Sequence, residues 1–543
     1  MIFLSLTICA ISGLFAAMPF RDMESSFPVW FALAPVFWLV SAAKSKKSAA
    51  LHAFVFAMVW TSRSFTFMWG CAFEGAIALS IYTSCIYTLS LLCIRRLAQE
   101  GGGAAVFGVA SVWALTEILR SVVPILYFPW LLLGHTLLNN APLRQEADLL
   151  GVYGLSFVVA AFNALLAFAL PSTLPRMYRA ARDTGVKSAW KNAWLLIALL
   201  CGLYSYGIER IHRIAPHLKP GAAIALVQGN VKTKLGRTVE MLDEQYARHV
   251  ELHRKAVAET TAAEGAPPVL VCWAETMVPR EFNLPETGDK FKAEVKRTGI
   301  PTLFGSNFME LEDLSKKVED RRVHNTAYLL DGNGSEVLHY FKRRLVAFGE
   351  YIPGGRDYPF LQVLRSVTRD QYVPGTAPSP IGEIGGYRFA LNLCVEDVHP
   401  CIAREGAFSG ADTLINLTND GWFYGTYGPR AHVLAAAWRS IETRRPLLRV
   451  TNTGRTVAVN PLGEITLALP PETEAVGSVK LQRIDGGGAN IVTPYMRLGE
   501  FWTAAIFMLI LGISLWLKEP RPQGSGPTEF NTSAGISNEI DAG

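Results

Sequence analysis

The chain holds 543 residues, half of them hydrophobic, with 18% charged and a formal net charge of +5; its mean hydropathy is +0.23. An average soluble chain is about 25% charged, and here the shortfall is local: the first 208 residues carry 22 charged side chains, roughly 11%, and the remaining 335 carry 75, roughly 22%. This distribution excludes a disordered chain, a collagen-like chain and a wholly soluble enzyme, and a small positive charge gathered on no face or stripe excludes nucleic acid as a partner. It predicts a membrane protein with one large water-exposed domain.

A bilayer-crossing helix needs about 20 mostly apolar residues. Eight stretches qualify, at about 2–20, 27–43, 50–72, 75–94, 104–123, 152–172, 190–208 and 501–517. The first has neither a basic leader nor a small-residue cleavage site, so it reads as a retained span. Seven spans make a membrane domain over 1–208, and the eighth follows a polar domain over 209–500. Basic residues gather after the even-numbered spans: Lys44, Lys46 and Lys47; Arg95 and Arg96; Arg176, Arg179, Arg182, Lys187 and Lys191; Lys518 and Arg521. The alternate short loops offer little more than Arg21 and Arg144. By the positive-inside rule both termini are expected inside the cell and the polar domain outside. Residues 518–543, rich in Gly, Pro, Ser and Asn, read as a disordered cytoplasmic tail. Arg63, Glu117 and Arg120 lie in or near spans, where charge is expensive. Glu117 and Arg120 share a helical face, which predicts a structural ion pair; a transport pathway is the alternative.

The polar domain alternates strand and helix signals. Ala222–Val227 is an apolar run closed by the turn Gln228-Gly229-Asn230. Residues 239–263 repeat apolar positions at helical spacing. Val269–Trp273 reads as a buried strand, and further strands end at Gly305-Ser306-Asn307, Thr326–Leu330, Arg388–Leu393, Thr413–Leu417 and Leu447–Val450. The alternation predicts an α/β layered domain, with function on the loops beyond strand ends. Three residues stand there. Glu275 follows the Val269–Trp273 strand, Lys342 follows a strand whose turn is Asp331–Gly334, and Cys394 closes the Phe389–Leu393 run, with Pro400 placed to open a helix. A cysteine between a strand end and a helix start is expected in a field that stabilises thiolate. A glutamate can take the thiol proton and a lysine can stabilise an oxyanion, so the set suits acyl transfer through a thioester. Singly, each has an ordinary explanation: a solvated surface charge, or a cysteine inert in a core. Cys272, Cys394 and Cys401 are the three cysteines of the polar region, an odd number, so at least one is expected as a free thiol.

Several motifs in one order carry a resemblance. Trp273-Ala274-Glu275-Thr276, Lys342 ahead of Phe348–Pro353, and Cys394-Val395-Glu396 resemble the Glu-Lys-Cys triad of the nitrilase superfamily. Leu226–Asn230, Thr418–Phe423, Arg445–Arg449 and Thr451–Gly454 are similar to its membrane-bound branch, the apolipoprotein N-acyltransferases. So are Trp113–Glu117 with Arg120, Phe128-Pro129-Trp130 and Gly151–Phe157. The resemblance implies a polytopic helical membrane domain joined to an αββα nitrilase-like sandwich, held in the periplasm over a bacterial inner membrane. It implies a phospholipid as acyl donor and a diacylglyceryl apolipoprotein as acceptor, with ping-pong transfer. It further implies Cys394 as nucleophile, Glu275 as general base and Lys342 as oxyanion stabiliser. Glu350 and Glu396 match supporting glutamates, and Trp422 an aromatic near the substrate entrance.

The chain departs from the family at Ala274, Val395 and Arg237, which bears on the shape of the lipid pocket. The apolar stretch Tyr358–Leu364 is either a loop folded onto its own domain or a flap dipping into lipid. Cys394, His399 and Cys401 lack a second cluster with ligand spacing, so neither metal nor cofactor is expected, and a monomer is. Two other readings compete: a membrane-tethered amidase or nitrilase-type hydrolase, in which water resolves the acyl-enzyme, and a transporter. The spans offer no internal repeat and no interrupted helix of the transporter kind.

Overall fold

The computed structural model describes residues 2–517 apart from 22–24, 71, 101–104, 124–127, 170–184, 233–237, 314, 316–320, 348, 353–371 and 486–490. Arg237, the stretch Tyr358–Leu364, Arg176, Arg179, Arg182 and the tail from 518 lie outside the described residues.

Each of the eight apolar stretches is helical over most of its described residues, but the helices differ in length, and the one in the 50–72 stretch ends at Ser64. Six helices are long and apolar enough to cross a membrane: Ile2–Arg21, Phe73–Gln99, Ala105–Val122, Val152–Ala169, Lys191–His217 and Pro494–Trp516. The helix Lys46–Ser64 packs between the first and the Phe73–Glu100 helices. Gly13 makes one of those contacts possible, since a Cβ there would stand 2.7 Å from the Phe56 carbonyl oxygen. The expected span at 27–43 is instead two helices, Val29–Ala32 and Ala34–Ala42, interrupted at Leu33. Pro35 removes one N–H from the ladder, and the Asn163 side chain fills the gap. Its oxygen accepts from the Leu33 and Ala34 N–H groups at 2.9 Å each, and its amide donates to the Val29 carbonyl at 3.0 Å. An interrupted helix is thus present where none was expected.

The predicted Glu117–Arg120 ion pair also gives way to separate partners. Glu117 accepts from the Trp113 indole and the Leu133 N–H, each at 3.0 Å. Arg120 donates to the Tyr87 hydroxyl at 2.6 Å and to the Trp130 and Phe128 carbonyls at 2.7 and 3.1 Å. Residues three apart share a face without their charges having to meet.

The polar region contains, among the described residues, twelve strands: β1 (Leu218–Gln228), β2 (Leu270–Trp273), β3 (Thr302–Met309), β4 (Val323–Leu330), β5 (Glu336–Phe341), β6 (Ile381–Ile384), β7 (Tyr387–Leu393), β8 (Thr413–Thr418), β9 (Leu447–Thr451), β10 (Val457–Val459), β11 (Ile465–Ala468) and β12 (Ala475–Ile484). They form two six-stranded sheets, in the orders β12-β1-β2-β3-β4-β5 and β11-β10-β9-β8-β7-β6. Side-chain alternation decides the layering. Ile224 and Leu226 meet Leu391, Leu393, Ile415 and Leu417 between the sheets. Ala225, Val227, Val271 and Trp273 turn outward onto the helices Val239–Glu264 and Pro285–Thr298. On the second sheet, Ala390, Leu414, Leu447 and Val459 face the helices Pro400–Phe408, Gly428–Ala436 and Trp438–Thr443, and that layer merges with the core of the membrane helices. The domain is an αββα sandwich whose second helical layer is shared with the membrane half.

Strand direction sets where function sits. β1, β2 and β3 are parallel, as are β7, β8 and β9, so their carboxyl ends share one edge. β4 and β5 are each antiparallel to the strand before, which returns the end of β5 to that edge.

Candidate active site

Glu275, Lys342 and Cys394 come together at this edge. Glu275 follows β2, and Gly305 on β3 must be glycine for it to do so: a Cβ there would lie 2.6 Å from the Glu275 Cα. Lys342 follows β5 and is buried, with 1% exposure. Its Nζ donates to Glu275 Oε1 at 3.0 Å and to Glu350 Oε1 at 2.8 Å. Asn325 donates to the same two oxygens, at 2.7 and 3.0 Å. The other oxygen of Glu275 accepts the Asn419 N–H at 2.9 Å, across from the second sheet. The other oxygen of Glu350 accepts the Val346 N–H at 2.8 Å. Burial opposes charge on Lys342, but Glu275 and Glu350 outweigh it and raise its pKa well above the ordinary value. The lysine is a fixed cation.

Cys394 ends β7 in the left-handed region, at φ +49°. A non-glycine residue held there is strained and needs surrounding structure to keep it. Asn416 supplies part of that, donating to the Cys394 carbonyl at 2.9 Å. Glu396 supplies the rest. It accepts from the Leu393 N–H at 2.8 Å, from the Arg343 and Arg344 N–H groups at 2.7 and 3.0 Å, and from the Tyr340 hydroxyl. Glu396 therefore clasps the lysine loop to the cysteine loop. Cys394 heads a short 3-10 turn over Cys394–Val398, and the helix predicted at Pro400 follows it. The expected thiolate field is not what results: burial foremost, then Glu275, raise the thiol pKa although Lys342 lowers it. The resting group is a neutral thiol, so attack requires a base.

Behind the cysteine loop lies a buried network that sequence alone does not reveal. Arg449 Nε donates to Asp397 at 3.0 Å, and its Nη2 to Asp420 at 3.0 Å. The His432 ring bridges the two carboxylates at 2.9 Å each. All four side chains are fully buried. Trp130 of the membrane half packs on the His432 ring, with centroids 5.1 Å apart. Trp422 is 45% exposed, and its neighbour Phe423 packs on Phe67 of the membrane half. Trp422 thus stands at the junction of the two halves, joined to the network through Asp420.

Burial and Arg449 oppose protonation of His432, yet the two carboxylates prevail and raise its pKa above the ordinary value. A raised folded-state pKa stabilises the protein fully below the unfolded value of about 6.5, and that contribution is lost as pH rises through the folded value. The apparent melting temperature in detergent should therefore fall as pH climbs above that range. His432→Gln should be less stable at low pH and show less of the fall; an unchanged pH slope would remove His432 from this role.

Asn325 and Asn416, each within a strand, escape sequence reasoning because a lone asparagine in an apolar run has no distinguishing pattern, and Asn419 enters it only as part of the Thr418–Phe423 motif, without a role. Among the described residues no group of His, Cys, Asp and Glu is placed to hold a metal ion.

Residues 223–488 match the carbon-nitrogen hydrolase family, the class to which the sandwich belongs. Residues 12–165 match the apolipoprotein N-acyltransferase N-terminal domain. Apolipoprotein N-acyltransferase of Geobacter metallireducens is 28% identical over 513 residues, 92% of each chain. Apolipoprotein N-acyltransferase of Azotobacter vinelandii is 30% identical over 77% of this chain and 74% of its own. Apolipoprotein N-acyltransferase 2 of Treponema pallidum is 30% identical over 88% of each. The chain belongs to the apolipoprotein N-acyltransferase family.

Proposed function

We propose that the protein moves an acyl chain from a phospholipid to the N-terminal amine of a diacylglyceryl-cysteine lipoprotein, through a thioester on Cys394. The observation that carries this reading is the Lys342 ammonium held between Glu275 and Glu350 beside a cysteine fixed in a left-handed turn. Glu275 takes the thiol proton as sulfur attacks the ester carbonyl, and Lys342 stabilises the oxyanion. The tetrahedral adduct collapses, the C–O bond breaks, and the lysophospholipid leaves with that proton. The acceptor amine then attacks the thioester, gives its proton to Glu275, and the sulfur leaves to be reprotonated. Glu350 keeps a second contact on Lys342, so the lysine stays in place when Glu275 is neutral.

Depletion of the protein in living cells tests the function. Lipoprotein N-termini should become lighter by one acyl chain and gain a free amine; N-termini of unchanged mass would overturn the reading.

The topology belongs to the same proposal: a multi-pass protein of the bacterial inner membrane, with residues 209–500 in the periplasm and both ends in the cytoplasm. A single cysteine placed at Lys187 should resist an impermeant thiol label added from the periplasmic side, whereas one at Glu259 should react. Labelling at Lys187 would reverse the orientation.

A further inference from the structure

Cys394 and Glu275 stand at the ends of strands in different sheets, so their approach depends on what ties the loops beyond those strands together. Glu275 follows β2, but one of its oxygens is held by the Asn419 N–H at 2.9 Å, and Asn419 follows β8 in the second sheet. Asn419 caps its own turn, its side chain accepting the Gly421 N–H at 3.1 Å. The Cys394–Val398 turn is held from two sides by consecutive residues: Glu396 reaches the lysine loop, and Asp397 reaches the buried network. Asp397 lies three residues past Cys394 and Asp420 one past Asn419, so whatever joins these carboxylates joins the nucleophile's turn to the base's support. Two side chains do so. Arg449, on β9, donates to both at 3.0 Å. His432, on the helix Gly428–Ala436, takes the Oδ1 atoms, Nε2 on Asp397 and Nδ1 on Asp420 at 2.9 Å each. Arg449 Nη2 comes within 2.6 Å of Nδ1, so guanidinium and imidazole lie side by side between the carboxylates. The face of the imidazole meets the membrane half at Trp130, 5.1 Å away between centroids. Trp130 is itself fixed: its carbonyl accepts from Arg120 at 2.7 Å, and its ring stacks on Phe128 and Phe67 at 5.9 and 5.5 Å.

We propose, resting on the acyltransferase reading, that His432 is the positioning residue through which the membrane half sets Cys394 against Glu275. It acts through Asp397 on the turn that Cys394 heads, and through Asp420 on the turn that presents the Asn419 N–H to Glu275. The chemistry needs such a tie. Cys394 holds a φ of +49°, a conformation that persists only where surrounding structure over-determines it. The thiol proton passes to Glu275 only within hydrogen-bond reach, and a misplacement of about 1 Å costs about a hundredfold in rate. The bridge needs both ring nitrogens, since a side chain that holds one carboxylate leaves the other turn to Arg449. Ala431 and Val433, on either side of His432, belong to the core that continues into the membrane helices. Nucleophile and base are therefore brought to register only when the two halves are docked.

The test uses the full chain in nanodiscs containing phosphatidylethanolamine, at neutral pH and below the melting temperature of each variant. Two reactions are read by mass at Cys394: single-turnover acylation by the phospholipid, and alkylation by iodoacetamide, which needs the thiol proton removed but no lipid bound. The amide nitrogen of glutamine takes the place of Nε2 and that of asparagine the place of Nδ1. His432→Gln thus keeps the bond to Asp397, and His432→Asn keeps the bond to Asp420. Each should lower both rates about tenfold and leave unchanged the donor mole fraction that gives half the maximal rate. Wild-type rates in either variant would show that one bond suffices and overturn the bridge. A raised half-maximal donor fraction with an unchanged maximal rate would place His432 in lipid binding and overturn the positioning role. Trp130→Leu should lower both rates about threefold and add nothing in the His432→Gln background; losses that multiply would overturn the link to the membrane half. Should the His432 variants fail to fold, Trp130→Leu decides by itself, and an unchanged alkylation rate in it rejects the proposal. If phospholipid leaves Cys394 of the wild type unmodified, the acyltransferase reading fails, and the iodoacetamide rates alone then judge His432.

Discussion

Cys394→Ala should abolish acyl transfer, and Cys394→Ser should come close to doing so. The thiol is neutral at rest because burial raises its pKa, yet Glu275 beside it can remove its proton during attack. A serine hydroxyl in the same place is far more reluctant to give up its proton, so the same carboxylate is too weak a base for it. Wild-type protein incubated with phospholipid and no acceptor should gain one acyl mass on the peptide containing Cys394, and neutral hydroxylamine should remove it. The lysophospholipid must leave before the amine arrives, so initial rates should follow ping-pong kinetics. An unmodified Cys394 peptide during normal turnover, or transfer by Cys394→Ala, would reject the thioester.

Lys342→Ala should lower the rate of acyl-enzyme formation by roughly 10²–10³, the usual cost of removing one oxyanion donor, while phospholipid still binds. It should also destabilise the fold, because the buried Glu275 and the partly buried Glu350 would be left without their shared cation. Lys342→Arg should rescue the charge but not the rate. Nζ fits between two carboxylate oxygens at 3.0 and 2.8 Å, and a wide planar fork cannot take that place. Single-turnover acylation separates the two variants from mere unfolding, and near-normal turnover in the arginine variant would make Lys342 structural.

The three residues at the strand ends were legible because parallel strands bring their carboxyl ends to one edge, and a short apolar run followed by Glu275 or Cys394 marks such an end. The helix at 239–263 was legible from its periodicity and is observed at Val239–Glu264. What stayed hidden depends on distances between remote segments. Asp397, Asp420, His432 and Arg449 span 53 positions and share no spacing rule, yet they meet in one buried cluster. The thiolate expectation weighed the strand end and the helix start but not burial, which dominates. The interruption at Leu33 left a trace in Pro28 and Pro35, while the residue that makes it tolerable, Asn163, lies 130 positions away.

The unbroken core from Cys9 in the first helix to Leu447 and Val459 of the catalytic sheet has a kinetic consequence. Because the described residues of the two halves share one packed core, the sheet that carries Cys394 cannot swing relative to the apolar helices. Encounter is then, under the proposed function, a two-dimensional search among lipids that come to a site held in one place. Under the proposed function, turnover should follow the mole fraction of donor in the surrounding leaflet and slow when inert lipid dilutes it, even as the total lipid in the vessel stays constant.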